Sequence, residues 1–191
     1  MRNSMRCVLG VLALSLILPL SACPPALQVK PGTDWSFEPN AIRVNLPADR
    51  DLKYYDRGPH TVVVWVYQLS NPNKFNQLAD EQQGLVKLLE GGQFDPSVGD
   101  FKREFVQPGR SITMTLDRAE GAKYVGLVVG YYALNREGAA RLSAIPVVQV
   151  AQGTMLISKP ARIAMDVYLG PQSIEKASVV PVEGQQPGRG Y

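Results

Sequence analysis

One histidine and two cysteines bound the chemistry open to this chain of 191 residues. His60 stands alone, so neither a His-rich metal site nor the paired histidines of a metalloprotease helix can be built within one chain. A serine hydrolase using His60 would need a serine and an acid beside it in space. His60 sits between Pro59 and the run TVVVWV, however, which makes it a residue at the mouth of a strand. No G-x-S-x-G elbow, P-loop or G-x-G-x-x-G turn occurs. Glycoside chemistry needs two acids facing one cleft, about 5 to 9.5 Å apart. Glu81, Glu90, Asp95, Asp100, Glu104, Asp117 and Glu120 qualify by type only. Each falls in a turn, on a helix face or opposite an apolar strand residue, where solvated acids sit. A calcium loop would need oxygen ligands at alternate positions ahead of a glutamate, and no run has them. These residues predict a protein that is not an enzyme and holds no metal.

The cysteines are different. Arg2 and Arg6 precede an apolar run from Cys7 to Leu20, which ends in Leu20-Ser21-Ala22-Cys23. The run is about 14 residues long, against the roughly 20 that a spanning helix needs, so residues 1–22 read as a signal peptide. The ending resembles the bacterial lipobox, in which small residues admit a peptidase and the cysteine sulfur receives a diacylglycerol. All four positions match. Covalent lipid on Cys23 is thus the only non-protein group expected, and no other cofactor is. Removing Arg2 and Arg6 lowers the formal charge from +3 to about +1. The mature chain has no basic run to serve nucleic acid. With Cys23 its only cysteine, it cannot close an internal disulfide, and stability must come from a packed core.

A second group of residues could do recognition chemistry. Pro47 to Pro59 reads PADRDLKYYDRGP, denser in charge than its surroundings. Asp49, Arg50, Asp51, Leu52, Lys53, Tyr54, Tyr55, Asp56 and Arg57 set tyrosines beside mixed charges, the composition of protein-binding patches. The competing reading is a solvated turn, with Leu52 and Tyr54 continuing a strand by alternation.

The elements that must position these residues are mostly strands. Pro24 to Pro39 is rich in Pro, Gly and small polar residues, so residues 23–40 read as an acylated tether. Ile42, Val44 and Leu46 then alternate with polar residues, as a half-buried strand does. Thr61 to Leu69, TVVVWVYQL, suits a central strand packed on both sides. Phe101 to Phe105, Ile112 to Leu116, Tyr124 to Tyr132, Val147 to Val150, Met155 to Ile157, Ile163 to Leu169 and Ile174 to Val182 complete about eight strands. Pro181 is expected to end the last one. Gly126 and Gly130 mark close packing or a bulge. Phe75, Leu78, Ala79, Leu85, Val86 and Leu89 recur at helical spacing, predicting one helix over 74–90 despite Gly84. A helical turn is expected near 136–142. The expected architecture is one antiparallel two-sheet β-sandwich over 41–182 with a helical excursion, followed by a disordered tail over 183–191.

The lipobox, a valine-rich strand ending in Tyr67-Gln68-Leu69, a helix opening near Phe75, Phe105-Val106-Gln107-Pro108-Gly109, and Tyr124 to Tyr132 together resemble the TssJ-type lipoproteins of type VI secretion systems. The resemblance covers most of Ala41 to Val150. It implies a transthyretin-like sandwich held at the inner leaflet of the outer membrane, facing the periplasm and without catalysis. It also implies binding to the periplasmic C-terminal region of a TssM-type inner-membrane protein, with a TssL-type protein in the same complex. The segment matching that family's partner-binding loop is Asp49 to Gly58. The alternative is a lipoprotein that binds a small envelope ligand such as a glycan or peptide, in an apolar concavity lined by Trp35, Trp65 or Tyr131.

Overall fold

The run from Thr61 to Leu69 is apolar at nearly every position because the strand it forms separates two cores. In the computed structural model, which describes residues 28–182, this strand is β3, Val62–Leu69. Val62, Val64 and Val66 point into one cluster of buried side chains. The alternate residues Val63, Trp65, Tyr67 and Leu69 point into another. Cys23, the 1–22 leader and the 183–191 tail lie outside the described residues.

The other strands are β1 (Gln28–Thr33), β2 (Glu38–Pro47), β4 (Val98–Val106), β5 (Ser111–Arg118), β6 (Tyr124–Val129), β7 (Ala140–Ala144), β8 (Val147–Gln152), β9 (Met155–Pro160), β10 (Arg162–Leu169) and β11 (Ile174–Val182). The helices are α1 (Asn73–Ala79), α2 (Gln82–Glu90) and α3 (Arg136–Ala139). Two four-stranded sheets, β11-β10-β2-β5 and β4-β3-β6-β7, form the sandwich. Ile42, Val44, Leu46, Ile163, Met165 and Val167 of the first sheet meet Val62, Val64, Val66, Val125, Leu127 and Val129 of the second, and all are buried. At about 25 cal/mol per Å² of apolar surface removed from water, this layer is the main source of stability in a domain without a disulfide. The mainly β sandwich with a helical addition is therefore as expected.

Its details differ from the expectation where tertiary packing overrides local pattern. Among the described residues eleven strands form rather than about eight, and two neighbouring pairs, β2 with β10 and β1 with β9, run parallel. A third sheet, β1-β9-β8, arises because Gln28–Thr33, within the stretch expected to be tether, joins the β8-β9 hairpin. The helix expected over 74–90 is two helices. A Cβ on Gly84 would lie 2.1 Å from the carbonyl oxygen of Leu78, so the start of α2 crosses tightly over the end of α1, and only glycine admits that approach. The turn near 136–142 is helical only to Ala139. The chain then enters β7, where Leu142 pairs with Gly126. Pro181 does not end β11, which runs on to Val182. As β11 is an edge strand, the missing N–H can face the open side.

The helices cover the outer face of the second sheet. Phe75, Ala79, Leu85 and Leu88 pack on Trp65, Tyr67 and Val128. Gly126 makes room for this layer, since a Cβ there would stand 2.7 Å from the Phe75 ring. The aromatic residues of β3 also cap the end of α2. The Trp65 indole N–H donates to the Leu89 carbonyl at 3.0 Å and the Tyr67 hydroxyl to that of Leu88 at 2.5 Å, satisfying carbonyls a helix end leaves without partners. Gln68 faces the interior with 1% exposure. Its amide donates to the Asp117 carbonyl at 2.7 Å and the Asp100 carboxylate at 3.1 Å. It also accepts from the Ala119 N–H at 2.8 Å. The Tyr-Gln-Leu sequence thus joins the helical layer, the second sheet and the end of β5.

Candidate functional site

The segment from Asp49 to Gly58 leaves the end of β2 and is pinned to its neighbours at several points. Ala48 bridges Leu169 at the end of β10. The Asp49 N–H donates to the Leu169 carbonyl at 2.8 Å, and the Asp49 carbonyl accepts from Gly109 at 2.8 Å. The Asp49 carboxylate is fully engaged, accepting from the Asp51 N–H and the Tyr168 hydroxyl, both at 2.8 Å. These two donors, the Asp51 N–H first, hold its pKa below the ordinary carboxylate value. The same bond pushes the Tyr168 phenol up. Leu52 is fully buried in the sandwich core. Leu52 was expected among the partner-binding residues, and that expectation needs correction: its side chain anchors the loop and is not presented to solvent.

Beyond Leu52 the chain turns outward. The Tyr54 N–H donates to the Pro171 carbonyl at 3.0 Å, and Tyr55 and Gly58 exchange two backbone hydrogen bonds of 2.9 and 3.1 Å. Between them Asp56 and Arg57 take φ of 44° and 69°, following Lys53 at 50°. Positive φ at two successive residues makes a tight two-residue hairpin turn, held here without glycine at roughly 1 kcal/mol or more for each strained residue. The consequence is a rigid tip. Tyr54 and Tyr55 are 48% and 46% exposed, and Arg50, Asp51, Asp56 and Arg57 are exposed around them.

Of two further residues of this surface, Tyr132 was not expected from sequence and Tyr131 was expected only as the lining of a ligand concavity. Tyr132 is exposed and stacks on Tyr55, with ring centroids 4.1 Å apart and planes 19° from parallel. Tyr131 lies beneath, buried, with a hydroxyl that has no hydrogen-bond partner among the described residues. Burial pushes its phenol well above the usual range, with the charge of Glu175 adding to the effect. A signal was present for Tyr132, which lies beyond the end of β6 and so outside the pattern that buries the strand. Lys53, Tyr54, Tyr55, Tyr131, Tyr132 and Pro171 line a hollow of about 140 Å³.

His60 is exposed beside this loop, its backbone N–H donating to the Leu52 carbonyl at 2.9 Å. Of the acids considered for catalysis, Asp100 accepts from Gln68, Asp117 from the Asn40 N–H and Asp95 from the Ser97 N–H. Among the described residues no group of three His, Cys, Asp or Glu side chains could hold a metal ion.

The aromatic residues expected to line a ligand concavity do not meet. Trp65 is covered by α2 and Trp35 packs on the sandwich core, whereas Tyr131 borders the 140 Å³ hollow beside the loop. A larger space, about 600 Å³, opens between the β1-β9 pair and the start of β2, lined by Lys30, Phe37, Glu38, Arg118, Met155 and Lys159 among others. None of those three aromatics reaches it. Two of its lining residues, Glu38 and Arg118, form an ion pair, and Glu38 accepts from both Arg118 and Arg162, each at 3.0 Å.

Comparison with known proteins bears on the family and the fold. A sequence model of the family described as type VI secretion lipoprotein (VasD, EvfM, TssJ) matches residues 40–170, which is β2 through β10 without β1 or β11. The crystal structure of the type VI lipoprotein TssJ1 from Pseudomonas aeruginosa is similar at 18% identity and a TM-score of 0.52, covering 77% of this chain and 99% of that one. A chain of a solved type VI membrane complex is similar at 16% identity and a TM-score of 0.54, covering 73% and 97%. At these identities the likeness is one of fold. Comparison with curated protein sequences returns no match.

Proposed function

This chain belongs to the type VI secretion lipoprotein family, and from that premise we propose that it is the outer-membrane lipoprotein of a type VI secretion membrane complex. In this reading lipid on Cys23 holds the domain at the inner leaflet, facing the periplasm. The loop Asp49–Gly58 binds the periplasmic C-terminal region of a TssM-type inner-membrane protein, with a TssL-type protein in the same assembly. Catalysis has no part in it.

The observation that carries this reading is the polarity of β2. Its first residue, Glu38, follows shortly after β1, the strand leading back to Cys23, and its last, Pro47, leads directly into the pinned loop. The chain thus enters the sandwich at one end of β2 and reaches the loop at the other. Two half-exposed tyrosines, a third stacked on one of them and an arginine at a rigid tip are the residue types that dominate protein interfaces, and a preformed tip loses little entropy on binding. Acylation by two or more chains, at about 0.8 kcal/mol per buried methylene, gives attachment that outlasts any docking event.

The test is co-purification of the acylated chain with the C-terminal periplasmic region of a TssM-type protein, from cells carrying the native or the Cys23→Ser form. We expect capture by both forms, membrane fractionation of the native form only, and an unchanged melting curve for Cys23→Ser. Failure of the native form to bind would remove the proposed partner. Membrane retention of Cys23→Ser would remove the anchor.

A further inference from the structure

The third sheet has exposed apolar residues and no counterpart in the two-sheet sandwich. Its hairpin turns at Gly153, with φ of 62°. The tip residues Ala151, Gln152, Gly153, Thr154 and Met155 are all exposed and all uncharged. Met155 is 45% and Val29 60% exposed. Across β1, β8 and β9 the only charged residues are Lys30 and Lys159, both exposed and set back from the tip.

The register of β1 decides what such a surface faces. β1 pairs parallel with β9, so that Gln28 lies beside Met155 and Val29 beside Leu156. The end of β1 nearest Cys23 is thus the end at the hairpin tip. Gln28 is five residues after Cys23, and whatever path they take, these residues span at most about 18 Å. One strand spacing of about 4.8 Å further gives the tip. If Cys23 carries lipid, the tip stays within about 23 Å of it, while the interfacial layer on each side of the hydrocarbon is itself about 5 to 8 Å deep.

Resting on the acylation proposed above, we infer that the β8-β9 tip, with Met155 and Val29, seats in the lipid interface beside the anchor. An uncharged tip sheds little hydration there, Met155 and Val29 lose apolar contact with water, and Lys30 and Lys159 extend toward phosphates. The anchor then fixes orientation as well as position, because the sheet turns one point of attachment into a footprint. The loop at the far end of β2 is held away from the bilayer.

The experiment uses the mature acylated protein in vesicles of phosphatidylethanolamine and phosphatidylglycerol. Acylation blocks the Cys23 sulfur, so a cysteine introduced by Thr154→Cys or, at the opposite end, Gln107→Cys takes a single environment-sensitive fluorophore. Flotation of the same samples reports anchoring. We expect both to float, with blue-shifted emission, quenching by nitroxide lipids and protection from iodide at 154, and none of these at 107. Flotation with a label at 154 as wet as that at 107 would overturn this inference and leave the anchor standing. A label shielded from iodide yet untouched by nitroxide lipids would mean that protein, such as a second copy, covers the tip, and would overturn it too. Failure to float would overturn both.

Discussion

Truncating the tip tyrosines separates a binding loop from a solvated turn. A tyrosine buries about 150 to 250 Å² when fully covered. With Tyr54 and Tyr55 at 48% and 46% exposure, roughly 75 to 125 Å² of each remains for a partner to cover. At about 25 cal/mol per Å² that is roughly 2 to 3 kcal/mol per residue, or about 30- to 150-fold in Kd. The upper figure is a ceiling, because association also immobilises side chains. Stability should respond differently. Tyr55→Ala loses its stack on Tyr132, worth about 0.5 to 1.5 kcal/mol, which lowers Tm by a few degrees in a domain of this size. Tyr54→Ala should change stability by less than about 0.5 kcal/mol. Isothermal titration against a TssM-type C-terminal region, with thermal melts of the same samples, measures both quantities. Val180→Ser is the control, since Val180 is 48% exposed and pairs with Ala164, at the end of β11 remote from Leu169 and the loop. Equal weakening by Val180→Ser and the tyrosine variants, or unchanged affinity in the Tyr54→Ala, Tyr55→Ala double variant, would refute the assignment.

Two other predictions concern how the loop and the helical layer are held. The Asp49 carboxyl lies below its ordinary value near 3.8, so its contribution to the folded loop is present above that pH and lost as pH falls through the lowered value. The Tyr168 phenol lies above its ordinary 10.0, so its contribution is present below pH 10 and lost as pH rises beyond it. The link should therefore hold between about pH 4 and pH 10, and carboxyl NMR should show the Asp49 titration move upward in Tyr168→Phe. Gly84→Ala should destabilise the domain by about 1 to 3 kcal/mol in urea titration, although alanine is favoured in helices by about 1 kcal/mol. The added methyl would meet the Leu78 backbone at 2.1 Å. A stabilised variant would show that the helices part freely there.

How much of this was legible in sequence depended on whether the deciding contacts were local. The run from Val62 to Leu69 announced a strand buried on both faces, because two cores leave no position for a polar residue except Gln68, and Gln68 has three partners. Helical spacing found α1 and α2, but nothing local shows that Gly84 lies under another helix. Gly84 was read as a cost when it is a contact. The Phe101, Arg103, Phe105 alternation marked a strand, yet both phenylalanines are substantially exposed, and the Arg103 guanidinium lies over the Phe105 and Trp65 rings at 5.2 and 5.5 Å. Composition and the family resemblance singled out the loop, but neither could tell the buried Leu52 from the exposed Tyr54. That distinction depends on Pro171, more than a hundred residues away in the chain. β1 was missed because Pro31-Gly32 interrupts its six residues and its strand partner, β9, is equally distant.

The path from lipid to partner gives the order of elements a mechanical sense. On the proposed reading, tension enters at Cys23 and leaves at Asp49–Gly58, and between them lie only β1, a short connection and β2. β2 is already extended: ten residues at about 3.4 Å each span roughly 34 Å, and full extension at about 3.6 Å adds only about 2 Å. Covalent bonds therefore carry the load along β2, and its hydrogen bonds to β5 and β10 need not break for the load to pass. Pulling at Val182 would instead peel β11 from the edge of its sheet, one hydrogen-bonded pair after another, releasing chain at each step. Optical-tweezer traces of the acylated protein held in a bilayer should accordingly show little lengthening before rupture when force is applied through residue 57, and stepwise lengthening when it is applied through residue 182. Similar lengthening through both handles would mean that the β2 ladder, and not the covalent strand, bears the load.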